Sequence, residues 1–420
     1  MVKLYLYLTD LITPILCGWI YVFLNSVQED FISIYIYNFV LFSFTLILIS
    51  LIQNYYTNYY LQHFSEKIKI SFITSFITIF IQLILYLYYK VFLDLLLVIF
   101  WIAIPIIILL IKFIIKRYYK SVNNIEINII GTFYKFNDNE ILMLTNKGFT
   151  IFFYNSFQEF QKTSKYLNYR ESINVINYNI NQIERLRDNK NILRLDNCLT
   201  VDKFMELYLR KLFINHKNTI VDINTYCQSN FILKRLIDYS AILFFIPILF
   251  LFCILIFFIK IKNQINDPMF FIQKRYGLNQ KIFNIYKIRT MVVGSKEKGN
   301  TKKNDSRIYP FALIIRKLRI DELPQIFNIL FGDMHLVGPR AEWINLADQY
   351  SKNISNYDHR HIVRPGITGW AQIIHPYGVD ESDARQKLMY DMYYIKHWSI
   401  WFEIEICIKT FMVILDKRGF

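Results

Sequence analysis

Apolar and polar residues are strongly segregated along this chain, and apolar runs dominate its first part. Four runs each have about the twenty residues that a helix needs to cross a bilayer. The runs lie at Leu4–Leu24, Phe31–Ile52, Ile70–Tyr89 and Val91–Ile115. We therefore predict an α-helical membrane bundle of four transmembrane helices in residues 1–120.

The basic residues around these runs predict an orientation. Cations precede the first run, separate the second from the third and follow the fourth, whereas the loop after the first run carries Glu29 and Asp30. The positive-inside rule then places both ends of the bundle in the cytoplasm. The cations are Lys3, Lys67, Lys69, Lys116, Arg117 and Lys120.

Residues 121–230 are more polar and show shorter periodicities. Ile125–Ile130 and Thr150–Tyr154 predict strands, and Val201–Phe213 predicts a helix. This pattern indicates a small, degenerate Rossmann-like α/β domain. A dinucleotide site needs a glycine-rich turn after the first strand, and Gly131 stands nearly alone there, so we predict no dinucleotide binding.

A fifth apolar run, Leu236–Ile259, is also long enough to span a membrane, but both of its flanks are basic. Pro247 lies near its middle, where proline removes a backbone donor and favours a break. We therefore predict a re-entrant helical hairpin in residues 236–259 that enters and leaves by the cytoplasmic face. The alternative is an ordinary spanning helix, which would place the following polar domain outside the cell.

The fifth run belongs to a mixed α/β domain that we predict for residues 231–420, and the rest of that domain follows the run. Amphipathic segments at Phe311–Ile320, Leu323–Phe331 and Trp401–Leu415 predict helices that pack in the core or lie on lipid. The formal net charge of +15 favours an anionic membrane surface or a phosphate substrate, and no nucleic-acid motif accompanies it. The five cysteines are scattered, so they indicate neither disulfides nor a zinc site.

An adjacent pair of acids, Asp321 and Glu322, is the first candidate for chemistry. The pair precedes Pro324, which suits the first turn of a helix, and Gly332 suits its end. A carboxylate at a helix start is stabilised as an anion by the free N–H groups. Asp321 is thus a candidate nucleophile and Glu322 a candidate ligand for a divalent metal, although Asp321 alone also suits an ordinary helix cap.

Several basic turns accompany the acids and suggest a phosphate site. Gly338-Pro339-Arg340 presents a guanidinium that can grip phosphate with two hydrogen bonds. Alternation along a strand would place Lys287 and Arg289 on one face. The chain contains no P-loop, HExxH or GxSxG motif. The candidate substrate-binding residues are Arg275, Lys287, Arg289, Arg340, Arg364 and Gln372.

From Lys234 to its end, the chain resembles the bacterial sugar transferases, a family of polyprenyl-phosphate hexose-1-phosphate transferases. Four predicted membrane helices ahead of this region resemble the large, exopolysaccharide-initiating type. The shared motifs are Lys234-Arg235-x-x-Asp238, Gln273-x-Arg275-x-Gly277, Tyr286-Lys287-x-Arg289-Thr290-Met291, Asp321-Glu322-Leu323-Pro324-Gln325, Gly332-Asp333-Met334, Val337-Gly338-Pro339-Arg340, Arg364-Pro365-Gly366-Ile367-Thr368-Gly369-Trp370-Ala371-Gln372 and Tyr390-Asp391-x-Tyr393-Tyr394-Ile395-Lys396.

The resemblance implies a monotopic catalytic domain that depends on Mg²⁺ and acts in two steps. Asp321 would attack a UDP-sugar and release UMP, and undecaprenyl phosphate would then accept the phosphosugar. Asp321 and Glu322 would hold the metal, and Arg340 would bind phosphate. Lys234, Arg235, Asp238 and Pro247 would anchor the hairpin at the membrane interface. Ile246 departs from the serine that often precedes this proline in the family.

The implied setting is the bacterial cytoplasmic membrane, with a multi-pass chain whose catalytic domain faces the cytoplasm. The implied partners are undecaprenyl phosphate, a UDP-sugar and the lipid bilayer, and a homodimer is compatible with the sequence. Two other classes of function stay open: an inactive scaffold that recruits glycan enzymes, and a transporter of the lipid. The presence of Asp321, Glu322 and Arg340 favours the enzyme over the scaffold.

Overall fold

The computed structural model forms two compact units, Met1–Phe204 and Met205–Phe420. The second unit begins earlier than the predicted boundary at residue 231. The structure describes residues 2–24, 29–52, 63–89, 99–100, 103–108, 111–112, 125–131, 134–156, 159–160, 172–176, 198–214, 228–294, 307–375, 378 and 380–415.

The first unit opens with long apolar helices, as the first three apolar runs predict. Most of the fourth predicted run lies outside the described residues, although residues 103–108 are helical. Within the described part of the chain, Tyr5–Leu24 and Ile232–Lys262 are long and apolar enough to cross a membrane. The three helices are α1 (Val2–Leu24), α2 (Glu29–Ile52) and α3 (Phe64–Tyr89).

A parallel four-stranded sheet completes the first unit, in the strand order β2-β1-β3-β4. The predicted α/β fold and its first two strands are confirmed. The sequence pattern missed β3 and β4, which are five and three residues long. The elements are β1 (Ile125–Ile130), α4 (Asp138–Asn146), β2 (Phe149–Tyr154), β3 (Ser172–Ile176), β4 (Cys198–Thr200) and α5 (Val201–Phe204).

The second unit opens with a π-helical turn, Met205–Leu209, so the predicted helix over Val201–Phe213 ends early. An antiparallel hairpin, a short parallel strand pair and several helices follow. They are α6 (Gln228–Lys262), β5 (Phe270–Tyr276), β6 (Ile282–Ile288), α7 (Ala312–Lys317), a 3₁₀ turn (Ile320–Gln325), α8 (Ile326–Phe331), β7 (His335–Val337), α9 (Ile344–Asn353), β8 (Gly366–Thr368), α10 (Trp370–Ile374), α11 (Glu381–Lys396) and α12 (Ile400–Leu415).

The fifth apolar run differs from its prediction. Helix α6 continues through Pro247 for 35 residues, so the expected break into two helices is absent from this described segment. A proline removes a single backbone hydrogen bond, and a helix tolerates that loss where packing on both sides of the proline holds its direction. Ile242 and Leu249, on either side of Pro247, are both buried against the hairpin and α8.

Lys234 and Asp238 join α6 to the protein and are only 1% exposed, so neither side chain contacts a membrane interface. The Lys234 ammonium donates to the carbonyl of Val337 at 2.8 Å and forms an ion pair with Glu403 of α12. Asp238 accepts from the backbone N–H of Leu336 at 2.8 Å. Partly buried Arg235 donates to the carbonyl of Ile329 at 3.1 Å. The predicted anchor residues therefore hold α6 to β7, α8 and α12.

Two glycine motifs cross backbone to backbone at the strand pair β7–β8. A methyl group added to Gly366 would lie 2.0 Å from the backbone nitrogen of Gly338, and one added to Gly369 would lie 2.2 Å from the Gly338 carbonyl oxygen. Backbone atoms cannot retreat as a flexible side chain can. Glycine at position 338 therefore allows the Gly-Pro-Arg turn to approach a second backbone segment closely.

The crossing predicts that Gly366→Ala destabilises the second unit strongly, because the added methyl group has no space. We expect a loss of about 3 kcal/mol in the free energy of unfolding, measured by denaturant titration in detergent. Gly294→Ala is a useful control, because that glycine has a φ of +82° but no atom within 4 Å of the added methyl. An equal effect of the two substitutions would contradict a steric origin.

Candidate active site

A tight 3₁₀ turn between α7 and α8 carries the acidic pair. Arg319 adopts a left-handed conformation with a φ of 56°, which ends α7 and starts the turn at Ile320. Burial of Ile320 and Pro324 fixes the turn against the core. Helix α8 ends at Gly332, whose φ of 84° confirms the predicted stop. The helical path thus begins before Asp321, and Arg319 occupies the cap position.

Glu322 lies among three cations from three different parts of the unit. Its carboxylate accepts from Lys287 of β6 at 2.9 Å and from Arg340 after β7 at 3.1 Å, and Arg319 lies 3.6 Å away. Burial alone would raise its pKa, but Lys287, Arg340 and Arg319 outweigh burial and hold the pKa well below its ordinary value. Glu322 is therefore a permanent anion that fixes the positions of the cations.

Asp321 has a different environment from its neighbour. It is half-buried, and no cation forms an ion pair with it among the residues that the structure describes. Burial, followed by repulsion from Glu322, raises its pKa to about 6, against the weaker pull of Lys287 and Arg316. The expectation that the helix start lowers this pKa was wrong, because burial outweighs the effect of the backbone N–H groups. Its oxygens are accordingly available to react.

The structure brings together part of the predicted phosphate-binding set. Lys287 and Arg340 contact Glu322 directly. Arg275 lies on β5, the strand paired with β6, and donates to the carbonyl of Ala341 at 3.1 Å. Arg275, Lys287 and Arg340 line one small cleft, and burial and the nearby Arg340 charge lower the Arg275 pKa to about 10.

Two other predicted phosphate-binding cations, Arg289 and Arg364, interact with groups other than Glu322. Arg289 follows the end of β6 and donates to the carbonyls of Pro268 at 2.9 Å and Phe270 at 3.3 Å. Arg364 lies close enough to His335 to help lower the pKa of that imidazole, after the larger effect of burial. No described contact joins either guanidinium to Glu322.

A cavity of about 210 Å³ opens beside Arg340 and Arg319. The predicted residue Gln372 lines it, and both polar atoms of its amide are buried without a hydrogen-bond partner in the described structure. Such atoms are expensive to leave unsatisfied, which indicates a polar ligand. The remaining lining residues are Glu342, Leu346, Tyr350, Tyr357, Arg360, Ala371, His375, Gly378, Ala384, Lys387 and Asp391.

Sequence reasoning missed Glu342, Arg360 and Asp391 as members of this site. Arg360 forms an ion pair with Asp391 at 2.8 Å and donates to the hydroxyl of Tyr357 at 2.6 Å. Asp391 belongs to the Tyr390-Asp391 motif, and Glu342 follows Arg340 by two residues. Membership of a shared motif was a signal for Asp391 only. Sequence spacing does not reveal that Glu342, Arg360 and Asp391 lie around one cavity.

The donor set fits a metal held mainly by substrate. The described residues contain no group of three or more acids, histidines or cysteines that could hold an ion. Both oxygens of Glu322 lie within ion-pair distance of cations, whereas Asp321 has none. Because Mg²⁺ is commonly bound by one or two carboxylates together with phosphate oxygens, Asp321 fits as a ligand better than Glu322.

Comparison with known proteins identifies the family of the region that carries the acidic pair. Residues 229–417, which include Asp321 and Glu322, match the family described as bacterial sugar transferase. An uncharacterized sugar transferase of Bacillus subtilis (strain 168), EpsL, is 38% identical over 191 residues, which are 45% of this chain and 90% of that protein. This chain belongs to the bacterial sugar transferase family.

Two further relatives of the family carry names that describe a reaction. The UDP-N-acetylgalactosamine-undecaprenyl-phosphate N-acetylgalactosaminephosphotransferase of Aeromonas hydrophila is 44% identical over 189 residues, 44% of each chain. The UDP-glucose:undecaprenyl-phosphate glucose-1-phosphate transferase of Xanthomonas campestris pv. campestris is 37% identical over 164 residues, 38% of this chain and 34% of that protein. The chain thus spans less than half the length of these two relatives.

The two adjacent acids of this bacterial sugar transferase predict opposite effects on stability. Glu322→Gln leaves Lys287, whose side chain is 16% exposed, and the more exposed Arg340 and Arg319 without their counter-charge, and should cost about 2 kcal/mol of unfolding free energy. Asp321→Asn removes a charge whose folded pKa of about 6 exceeds the ordinary value. At neutral pH that charge opposes folding, so the variant should gain about 1 kcal/mol.

Denaturant titration in metal-free detergent buffer compares the two variants. They are matched, because each replaces one carboxylate by its amide at adjacent positions. A destabilisation of similar size in both would contradict the assignment of the cations to Glu322.

Proposed function

We propose that this bacterial sugar transferase moves a hexose 1-phosphate from a UDP-sugar to undecaprenyl phosphate, releases UMP and so starts a surface glycan. The pair of acids with opposite environments carries the proposal. Glu322 is fixed among cations, and Asp321 beside it has no ion-pair partner among the described side chains. The relatives named for UDP-sugars and undecaprenyl phosphate support the same substrates.

The reaction proceeds in two displacements at one phosphorus. An oxygen of Asp321 attacks the sugar-side phosphorus, and the bond from that phosphorus to the bridging oxygen breaks, so UMP leaves with the bridging oxygen. The phosphosugar stays on Asp321 as an acyl phosphate, a mixed anhydride of the carboxylate and the sugar phosphate. An oxygen of undecaprenyl phosphate then attacks the same phosphorus and releases the Asp321 carboxylate.

The cations around Glu322 hold the phosphate oxygens during these steps. A guanidinium has five N–H donors, and Arg340 donates to Glu322 through Nη2, so other donors stay available for phosphate. Lys287 adds a second charge that favours a phosphate anion. Because Glu322 fixes both side chains before substrate arrives, little reorganisation is needed when charge develops on the phosphoryl group.

Mg²⁺, where bound, would be held by Asp321 together with diphosphate oxygens and would neutralise part of their charge. Glu322 supports this arrangement by keeping the cations in place. The UDP-sugar would extend from Arg340 into the cavity, where Gln372, Glu342 and Asp391 offer donors and acceptors for its polar groups. The sugar identity depends on these contacts.

The packing of α6 supports a catalytic unit on the cytoplasmic face. One side of α6 is buried over its length, from Ile242 and Leu249 against α8 to Ile256 against β6 and α7. A crossing helix would draw the charged cluster around Glu322 into hydrocarbon at a large cost. We infer that α6 is a continuous helix that stays on one side of the membrane, with both of its ends facing the cytoplasm, in place of the predicted hairpin.

The other side of α6 suits contact with lipid. Leu236, Leu243, Phe250 and Phe257, spaced seven residues apart, are all more than half exposed. Ile314 of α7 and Phe331 of α8 are exposed as well. This surface lies next to the turn that carries Asp321, so a lipid phosphate at the membrane interface reaches the nucleophile without leaving the bilayer.

The nucleophile assignment predicts a half-reaction without lipid. With Mg²⁺ and its UDP-sugar, the purified protein should release about one UMP per active site and carry the phosphosugar on Asp321. Asp321→Asn should fold but form no adduct and no lipid product, whereas Glu322→Gln should lose most of its activity. Mass spectrometry of the trapped protein locates the label. Substantial turnover by Asp321→Asn, or a label elsewhere, would favour direct attack by the lipid phosphate.

The topology proposal predicts the same labelling at both ends of α6. Single cysteines introduced by Asn230→Cys and Asn266→Cys in a cysteine-free chain should react with an impermeant maleimide only in inside-out vesicles. A spanning helix would expose one cysteine on each side of the membrane. Opposite labelling of the two sites would therefore exclude a one-sided helix.

A further inference from the structure

A short segment ahead of the family region packs deep inside the catalytic unit. The matched region begins at residue 229, but Met205–Ile214 belongs to the second compact unit. The sequence pattern assigned this segment to the small α/β domain. Within it, Arg210 and Lys211 are buried, as are Leu209 and Leu212. We call residues 205–214 the entry segment.

Arg210 is the centre of the entry segment. Its guanidinium forms an ion pair with Glu405 of α12 at 2.7 Å, and Glu405 is fully buried. The same guanidinium lies over the rings of Phe402 at 4.2 Å and Trp370 at 4.5 Å. The carbonyl of Arg210 accepts from the indole N–H of Trp370 at 3.0 Å. Main chain and side chain of one residue thus hold Trp370 at the start of α10.

The rest of the entry segment contacts α11. The backbone N–H of Leu212 donates to the carbonyl of Met389 at 3.0 Å, and Lys211 donates to the side chain of Gln386 at 3.1 Å. Burial lowers the pKa of Lys211 to about 7, which reflects how little water reaches this contact. Glu206 binds Lys396 at 2.6 Å near the end of the same helix.

These contacts lie directly next to residues that line the cavity. Trp370 precedes Ala371 and Gln372 in α10, and Gln386 precedes Lys387 in α11. Met389 is two residues before Asp391, another lining residue. The entry segment therefore supports the two helices that present the polar groups of the cavity.

We infer that Arg210 is a positioning residue for donor binding, through which residues outside the family region set the geometry of α10 and α11. The inference rests on the proposed function, since it takes the cavity as the UDP-sugar site. A buried ion pair adds little net stability, but it fixes geometry, and stacking on two rings restricts the guanidinium further. A small displacement of Gln372 would weaken donor binding while leaving the approach of the lipid unchanged.

The test neutralises Arg210 and Glu405 together, and the second partner of Glu405, Lys409 at 2.8 Å, keeps its charge on a side chain that is 31% exposed. In the full-length protein, Arg210→Met combined with Glu405→Gln keeps similar volumes and neutralises both partners. We expect the KM for the UDP-sugar to rise about tenfold, with kcat and the KM for undecaprenyl phosphate within about twofold of the parent. The control combines Arg385→Met with Glu381→Gln, an exposed pair of the same chemistry on α11, and should change neither KM.

The pattern of the two KM values decides the inference. An unchanged KM for the UDP-sugar, or an equal rise in both KM values, would overturn a positioning role. If the double variant does not fold, Trp370→Phe decides instead, because it removes the N–H that donates to the Arg210 carbonyl, together with the five-membered part of the indole, and keeps an aromatic ring in place. That variant should raise the KM for the UDP-sugar about threefold, and an unchanged value would overturn the inference.

Binding of UDP separates this inference from the proposed function. Calorimetry with UDP reports on the cavity whether or not the protein turns over. A parent protein that neither binds UDP nor releases UMP from any UDP-sugar would contradict the proposed function. A parent that binds UDP while the Arg210 variant binds it equally well would contradict only the positioning role.

Discussion

The ion cluster at Glu322 is the interaction on which the arrangement of the catalytic unit depends. A single buried carboxylate joins a strand through Lys287, a loop through Arg340 and the end of a helix through Arg319. Three cations so close together would repel one another without this anion. The cluster therefore does two things with one charge: it holds three chain segments in register, and it concentrates positive potential where a diphosphate would bind.

The same cluster distinguishes two chemically similar neighbours. Glu322 pairs with all three cations. Asp321, in contrast, is repelled by the permanent negative charge of Glu322 next to it. A division of roles between two acids therefore arises from their environments, since their side chains differ by one methylene group. Many enzymes separate the roles of paired carboxylates in this way.

Local patterns predicted much of the fold, because long apolar runs, alternating strands and a glycine stop depend on neighbouring residues. Lys287 and Arg340 contact Glu322, and Gln372 lines the cavity beside Arg340, while their roles in binding or catalysis stay predictions. Long-range packing decided the rest. Nothing near Lys234 and Asp238 reveals that β7 covers them, and nothing near Pro247 reveals that packing against α8 keeps α6 continuous. The contact between Arg210 and Trp370 joins residues 160 positions apart.

The apolar stripe on α6 has a practical meaning for anyone who isolates this enzyme. Because Leu243 and Phe250 stay exposed on a helix that is built into the catalytic unit, deletion of the N-terminal helices would not yield a water-soluble fragment. The fragment would still expose a continuous apolar surface and would self-associate in buffer without detergent. Isolation of the catalytic unit therefore calls for micelles or nanodiscs that cover this apolar surface.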